Sequence, residues 1–258
     1  MIVTFIAHSA FLVEWDSFYT LFDYVYAPDY TGTLPALDPG KPLLVFSSHS
    51  HEDHFDAKVF GLLEQYPRTR FFVSRDTRLT ERRRKWLNIS DEAFARTTVL
   101  RPDSILLTEA GGEELSIRAI KSTDIGNAYL LRSEGKLVYH GGDLNWWHWE
   151  SEGKAYCGNM AEMYKAAMEK LAAAVRDEAT DNGLTPEITA AMAPLDPRLG
   201  EGAEGMGIEG LLKSVPVRHV FPMHLWKHFE AIDRFRSAHP AEAERIVRIT
   251  ADGERFTI

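Results

Sequence analysis

The sequence predicts an α/β (α+β) fold in which two β-sheets pack together and helices flank them. Runs of short apolar strands followed by single helices occur twice along the chain. The 258 residues are 45% hydrophobic and include one cysteine, so the chain is long enough to bury a large core without an internal disulfide. We expect residues 1–258 to form a single domain.

Three short strands with tight turns are predicted first, at residues 2–6, 11–15 and 18–22. His8 lies at the first of these turns, where a lone histidine is more often a hydrogen-bonded structural residue than a functional one. Residues 29–41 are rich in proline, glycine and threonine, which indicates a long loop and a candidate rim for an active site.

A run of metal-ligand residues follows the apolar stretch 42–46, which is itself typical of a buried strand. The run comprises His49, His51, Asp53 and His54. Imidazole nitrogens and carboxylate oxygens are the ligands of zinc and similar divalent metals. With 10 histidines in the chain, a chance match at these offsets is on the order of one in a thousand. Asp56 is suited to cap a helix at residues 57–65, so the stretch predicts strand, metal-binding loop and helix.

The middle of the chain predicts one helix and several strands. The helix covers residues 76–87 and carries the basic run 82–85. We interpret that run as a solvated helix face, because the formal net charge of the chain is -9. The strands are predicted at residues 71–73, 99–107, 114–120, 128–132 and 136–139.

An aspartate and an aromatic cluster follow the last of these strands. Gly141 and Gly142 allow a close backbone turn directly before Asp143. Three of the six tryptophans then fall within residues 146–149, which favours either a pocket wall for a planar or sugar-like substrate or plain packing. His148 is either an acid or base in that pocket or a polar member of the cluster.

The last third of the chain predicts helices at residues 159–177, 207–213 and 231–237 and strands at residues 188–192, 217–221, 245–249 and 255–258. His224 comes just after one of these buried strands, in the loop position where functional side chains gather. Arg198 either meets an anionic group of a substrate or pairs with Asp196, and we favour the pairing.

These motifs, in this order, resemble the metallo-β-lactamase superfamily of metal-dependent hydrolases over nearly the whole chain. The segments 7–11 and 21–23 are similar to the opening strands of its lactonase-like branch. The resemblance implies a four-layer αββα sandwich that holds two divalent metal ions, with zinc as the first expectation and Mn²⁺ or Fe²⁺ as alternatives. It assigns His49 and His51 to metal one, Asp53, His54 and His224 to metal two, and Asp143 as the bridging ligand.

The resemblance also implies a mechanism in which a metal-bridging hydroxide attacks an ester, lactone or phosphoester bond of a small molecule. Asp53 and Asp143 are then the catalytic carboxylates, and Asp53 also orients the nucleophile. His8 is expected at the mouth of the site, as a substrate contact or a group behind the ligands rather than as a ligand. Three neighbouring residues complete the substrate-binding candidates, namely Trp146, Trp147 and His148.

The sequence departs from the family pattern at metal one, which normally receives a third histidine. Residues 55–139 contain no histidine. We hypothesise that Asp124 replaces it, and an oxygen ligand would shift metal one towards manganese or iron. The alternatives are a vacant or weakly held first site, or a role for Asp124 behind the ligands.

Two other functions stay open at this stage. One is a phosphodiesterase or nuclease on the same fold, which the net charge of -9 disfavours. The other is a non-catalytic metal-binding sensor, which only the missing histidine supports. The lone Cys157 fits a reducing compartment, and the sequence has neither a signal peptide nor a membrane span, so we expect a cytoplasmic protein. The sequence does not indicate the substrate or the oligomeric state.

Overall fold

The computed structural model describes residues 1–258, and its strands form two mixed β-sheets. The strands are β1 Ile2–Ala7, β2 Ala10–Glu14, β3 Tyr19–Phe22, β4 Leu43–Ser47, β5 Thr69–Ser74, β6 Thr97–Leu100, β7 Ile105–Ala110, β8 Glu113–Lys121, β9 Asn127–Ser133, β10 Lys136–His140, β11 Ile188–Pro194, β12 Val217–Met223 and β13 Arg255–Thr257. The first sheet has the order β13-β1-β2-β3-β4-β5-β6, and the second has the order β12-β11-β10-β9-β8-β7.

Each sheet contains a parallel part that positions the loops of interest. Strands β3 to β6 are parallel in the first sheet, and β10 to β12 are parallel in the second. Because parallel strands end at the same edge of a sheet, the loops that follow them gather there.

The chain forms six α-helices, and none of them is both long and apolar enough to cross a membrane. They are α1 Leu62–Gln65, α2 Glu81–Trp86, α3 Asp91–Ala95, α4 Gly153–Asn182, α5 Met206–Ser214 and α6 Glu230–Ala238. Apolar residues of α1 and α3 pack on the first sheet, whereas those of α4 and α5 pack on the second. The order helix, sheet, sheet, helix is the four-layer arrangement that was predicted.

Strand β4 shows why the central strands are continuously apolar. Leu44 and Phe46 join the core between the sheets, while Leu43 and Val45 face the helices. The ring centroid of Phe46 lies 5.3 Å from that of Tyr129 in the second sheet. Both faces of the strand are therefore buried, which is typical of a parallel strand covered on two sides.

The single strand predicted at residues 99–107 is wrong. The chain forms β6 and β7 instead, and these two strands belong to different sheets. Pro102 lacks a backbone N–H, and Asp103 adopts a left-handed conformation with φ of 61°. These two residues end the ladder of the first sheet and redirect the chain into the second.

The helix predicted at residues 76–87 is also shorter than expected. A 3₁₀ turn at Arg75–Thr77 ends in the left-handed Arg78, and α2 begins only after Thr80. The Thr80 side chain accepts a hydrogen bond from the Arg83 amide and so caps α2.

Three further differences concern ends and short elements. The predicted helix at residues 57–65 begins as a 3₁₀ helix at Ala57–Gly61, capped by Asp56, and continues as α1. The predicted strand at residues 245–249 is absent, because only Ile246 forms a bridge, with Val220. The sequence prediction missed α3 and gave α4 eleven residues too few, since α4 has 30 residues and the predicted helix has 19.

Candidate metal centre

The predicted ligand residues gather at one end of the sandwich. The loop after β4 carries His49 and His54, which are fully buried. Asp143 follows β10 and His224 follows β12, both at carboxyl ends of parallel strands. His8 enters from the turn between β1 and β2. The fold thus brings loops of both sheets to one place.

A close backbone contact fixes the turn before Asp143. Gly142 has a φ of 51°, and a Cβ atom on it would lie 2.6 Å from the Cβ of Ser48. Only glycine tolerates both the left-handed conformation and this approach. The predicted function of the glycine pair, a close turn, agrees with this geometry.

The candidate ligands form two clusters of four residues. In each cluster, one nitrogen or oxygen atom from every residue lies within 4.8 Å of the others. The first cluster comprises His49, His51, Asp124 and Asp143, and the second comprises His8, Asp53, His54 and His224.

Asp143 lies between the two clusters and faces both. Its Oδ2 is 3.4 Å from His49 Nε2, and its Oδ1 is 3.1 Å from His54 Nε2 and 3.3 Å from His224 Nε2. Oδ1 is buried and accepts no hydrogen bond of good geometry. A buried carboxylate oxygen without a hydrogen-bond donor is suited to a cation.

The spacing of the second cluster fits a metal ion. His54 Nε2 lies 3.4 Å from Asp53 Oδ2 and 3.4 Å from His224 Nε2, and the distance from His224 Nε2 to Asp53 Oδ2 is 3.5 Å. Four ligands at zinc-like distances of about 2.0–2.2 Å in a tetrahedron are separated by about 3.3–3.6 Å. Together with Asp143 Oδ1, these atoms therefore fit a metal ion of that size.

The first cluster is less evenly spaced and more exposed than the second. His49 Nε2 lies 2.9 Å from His51 Nδ1, and the Asp124 Oδ2 atom is 3.8 Å from that same nitrogen. The side chains of His51 and Asp124 are 48% and 40% exposed. The fold brings Asp124 into the cluster that lacks a third histidine, and its role as a ligand stays a prediction.

Charge in the second cluster favours a bound cation. Burial alone would lower the pKa of His224, but Asp143, Asp196 and Asp53 outweigh burial and raise it to about 10. Asp143 and Asp23 likewise raise the pKa of His54 well above its ordinary value, again against the effect of burial. The carboxylates therefore create a strongly negative site in which buried histidines take up protons unless a cation is present.

His8 belongs to the second cluster by position. Its Nε2 lies 3.3 Å from Asp53 Oδ2, and burial lowers the pKa of His8 to about 4, so the ring is neutral. His8 and His224 both have left-handed backbones, with φ of 50° and 65°, and the His224 amide donates a hydrogen bond to the His8 carbonyl. The predicted roles of His8, behind the ligands or at the substrate, are both compatible with this position.

The sequence analysis assigned no role at the metal centre to two carboxylates that hold candidate ligand histidines. Asp23 Oδ2 lies 2.7 Å from His54 Nδ1, and Asp196 Oδ2 lies 3.0 Å from His224 Nδ1. Each bond leaves Nε2 of its histidine facing the cluster, which is the usual support for a metal-binding histidine. The available signal was that Asp23 follows a buried strand directly and Asp196 follows another after one residue.

A pocket of about 470 Å³ opens onto both clusters. Trp147 lines it and donates a hydrogen bond from Nε1 to the Asp143 carbonyl. The structure does not bring Trp146 or His148 into this pocket. Trp146 packs instead against Tyr164, with ring centroids 5.8 Å apart. The aromatic and apolar wall consists of Tyr30, Trp147, Trp149, Tyr156, Met160 and Trp226.

Arg198 is the single arginine or lysine in the pocket wall. It forms the predicted ion pair with Asp196, at 2.5 Å between Nη2 and Oδ2. Its guanidinium group also lies 4.1 Å from the centre of the Trp226 ring. The ion pair with Asp196 is therefore the main interaction of Arg198, although the Arg198 side chain still borders the pocket.

Solved structures resemble the chain over its whole length. Igni18, a metallo hydrolase from Ignicoccus hospitalis, is 18% identical, with a TM-score of 0.58 over 100% of this chain and 98% of that chain. The metallo-β-lactamase fold protein YhfI from Bacillus subtilis is 12% identical, with a TM-score of 0.54 over 99% of this chain and 98% of that chain. The chain has the metallo-β-lactamase fold. The fold predicted from the sequence is therefore confirmed.

The metallo-β-lactamase fold at this level of identity does not by itself decide the reaction. CmlA, a diiron β-hydroxylase from Streptomyces venezuelae, matches 100% of this chain with 53% of its own, at 10% identity and a TM-score of 0.59. No family model and no curated protein sequence matches the chain.

Proposed function

We propose that this protein is a metal-dependent hydrolase that cleaves an ester, lactone or phosphoester bond of a small molecule. The position of Asp143 carries the proposal, because one carboxylate faces two clusters of ligand-type atoms. A buried oxygen on that carboxylate accepts no hydrogen bond, which is the arrangement expected of a bridging metal ligand.

Seven residues would hold the two metal ions. They are His49, His51, Asp124, Asp143, Asp53, His54 and His224. When bound, the ions would supply an activated water molecule and would polarise the bond under attack. Zinc suits the histidine-rich second cluster, whereas two carboxylates in the first cluster favour zinc less and manganese or iron more.

The chain's own residues would prepare the site for this chemistry. Asp23 and Asp196 fix the rings of His54 and His224 through hydrogen bonds to Nδ1. The neutral His8 donates a hydrogen bond to Asp53 and so orients the carboxylate that would direct the nucleophile. The aromatic wall of the pocket excludes water from one side of a bound substrate.

The size and charge of the pocket favour a small substrate over nucleic acid. Its volume of about 470 Å³ is in the usual range for a small-molecule site. Arg198 is the single basic side chain on its wall, and it is already paired with Asp196. A nuclease would need several free cationic groups to hold the phosphates of a strand.

A second candidate is oxidation at a pair of iron ions. Two carboxylates in the first cluster favour iron, and the structurally similar CmlA is named as a diiron enzyme. Turnover without oxygen and without a reducing agent separates the two candidates, because hydrolysis needs neither and oxidation at iron needs both.

The test combines elemental analysis of the purified protein with a hydrolysis screen of lactones, phosphodiesters and thioesters. We expect two metals per chain, and a loss of both turnover and metal in Asp143→Ala. Asp181→Ala is the control, because that carboxylate is exposed at the end of α4 and has no ion-pair partner. A protein that binds no metal after reconstitution, or that turns over no substrate with two metals bound, would contradict the proposal.

A further inference from the structure

A second cavity, of about 650 Å³, borders the loop that carries the first cluster of ligands. It shares no residue with the wall of the aromatic pocket. Ser50, which lies between His49 and His51 in sequence, and Gly126, which follows Asp124 by two residues, form part of its wall. We name it the arginine groove, lined by Ser50, Ser74, Arg75, Asp76, Arg78, Arg83, Pro102, Ile125 and Gly126.

The three arginine side chains of this groove are unpaired. The guanidinium groups of Arg75, Arg78 and Arg83 have no carboxylate within 4.0 Å and donate no hydrogen bond to the protein. The adjacent Arg84 differs, since it forms an ion pair with Glu81 and another with Asp91. In a chain with 38 acidic and 29 basic residues, three unpaired arginines at one cavity indicate an anion-binding site.

Buried polar groups in the wall also lack partners. The Ser74 hydroxyl belongs to a side chain that is 1% exposed, and neither it nor Arg83 Nε has a hydrogen-bond partner. A buried polar group without a partner is unfavourable, and a ligand can offset this by supplying a hydrogen-bond acceptor.

One carboxylate, Asp76, also borders the groove, and its Oδ1 atom is buried without a hydrogen-bond partner. Its Oδ2 accepts a hydrogen bond of 2.7 Å from the Ser50 amide. With three guanidinium groups against one carboxylate, the groove keeps an excess of positive charge. Asp76 also ties the groove to the segment that carries His49 and His51.

We propose that the arginine groove binds the phosphate group of a small molecule. Guanidinium groups present paired N–H donors that match the oxygens of phosphate. The three groups together offer more donors than the two oxygens of a bound carboxylate could accept. The volume of the groove admits a small phosphorylated molecule rather than a strand of nucleic acid. The site uses no metal ligand, so it stands independently of the proposed hydrolase activity.

The test is calorimetric titration of the protein with inorganic phosphate and with glycerol 3-phosphate, with glycerol as the neutral probe. Both metal-loaded and chelator-treated protein are titrated, because phosphate bound at a metal is lost on chelation and phosphate in the groove is kept. The test variant is Arg75→Gln/Arg78→Gln, which replaces two exposed side chains that form neither a hydrogen bond nor an ion pair.

The matched control is Arg82→Gln/Arg176→Gln. It removes the same charge from two exposed, unpaired arginines that lie outside the groove. We expect the test variant to bind phosphate at least about tenfold more weakly than the wild type, and the control to change affinity less than about twofold. Arg83→Gln is expected to weaken binding as well.

Two results would overturn the proposal. One is an equal affinity for phosphate in the test and control variants. The other is a short oligonucleotide that binds far more tightly than either phosphate probe and loses affinity equally in both variants, because that pattern indicates a diffuse basic surface. If the test variant has a raised KM only for phosphorylated substrates, the phosphate in the groove belongs to the substrate. If its KM is unchanged, the phosphate belongs to a separate ligand. Both results support the site.

Discussion

Two aspartates that touch no candidate metal position decide how the histidines of the second cluster are held. Asp23 is fully buried, and it accepts hydrogen bonds from both the amide and the hydroxyl of Ser48 as well as from His54. Burial opposes its ionisation, yet the nearby His54 and His140 lower its pKa. The carboxylate is therefore charged and immobile, which fixes the tautomer and orientation of the His54 ring.

Replacing Asp23 tests this support directly. Asp23→Asn keeps the size of the side chain but removes the charge that faces His54, so we expect metal affinity to fall by about 10–100-fold. Competition with a chromophoric chelator measures that affinity. Asp181→Asn, at an exposed position, is the control. Unchanged affinity in Asp23→Asn would show that the carboxylate does not support a metal ligand.

Gly126 also shapes the candidate metal centre, although it offers no ligand atom. It has a φ of 74°, and a Cβ atom would lie 2.2 Å from the Ser48 carbonyl oxygen and 2.5 Å from the Cβ of His49. Gly253 has a similar φ of 81° with nothing near its Cβ position. Alanine at either position adds about 1–2 kcal/mol of backbone strain.

Only Gly126→Ala adds a collision with the loop of His49. We expect it to lower the free energy of unfolding by about 1–3 kcal/mol more than Gly253→Ala does. Urea denaturation of both variants measures this difference. Equal losses in the two variants would mean that the loop moves aside at no cost.

At the scale of single elements, periodicity predicted the strands well where turn signals bound them on both sides. Strand β4 is an apolar run between Pro42 and a polar loop, and it lies where it was predicted. The prediction at residues 99–107 failed because it joined the β-forming residues on either side of Pro102 and Asp103 into one strand, and the change of sheet between them is a tertiary event. Helix α3 was missed because five residues are too few for a clear helical period.

Helix α4 is attached to the second sheet by a buried carboxylate. Glu178 accepts hydrogen bonds from Ser116, Arg118 and Arg132, at distances of 2.5 to 2.9 Å. Burial raises the pKa of Glu178, but these bonds outweigh burial and lower it below its ordinary value. This contact therefore stabilises the fold above the ordinary pKa of glutamate and is lost as the pH falls through the lowered value.

Glu178→Gln should lower the free energy of unfolding by about 2 kcal/mol or more at neutral pH, because two largely buried arginines lose their charged partner. The difference from the wild type should shrink as the pH falls below the ordinary glutamate value of 4.5. Urea titrations over this pH range measure it. Asp177→Asn, at an exposed neighbour, should have little effect at any pH. A pH-independent difference would contradict the role of the charge.

For the whole molecule, the centre is assembled from loops of both sheets. The sequence was sufficient to single out His49, His51, Asp53 and His54 as candidate ligands, because their spacing is local and specific, whereas Asp143 and His224 followed from the family resemblance. It was not sufficient to place Asp196 or Trp226 at the site, which both residues reach only through the packing of distant strands. It left open whether Trp146 lines the pocket or packs, because neighbouring aromatic residues point in different directions and only the fold decides which one meets the pocket.

Removal of metal should therefore destabilise the whole fold. A ligand present at 100 times its dissociation constant contributes about 2.7 kcal/mol, which corresponds to a fall of about 5–10 °C in Tm for a chain of this size when it is removed. Thermal unfolding with and without chelator measures the change. Asp143→Ala should show no response to the chelator. A wild-type Tm that is indifferent to chelation would mean that no tightly bound metal links the two sheets.

The hydrogen bond between the His224 amide and the His8 carbonyl joins the first hairpin of the chain to the end of β12. More than two hundred residues separate these two groups in sequence. During synthesis on the ribosome, the residues of the first hairpin emerge long before β12 does, so the His8 carbonyl first lacks its hydrogen-bond donor. Completion of the centre is therefore a late event in the biogenesis of this protein. A translation intermediate arrested before β12 would expose histidines that cannot yet complete the centre.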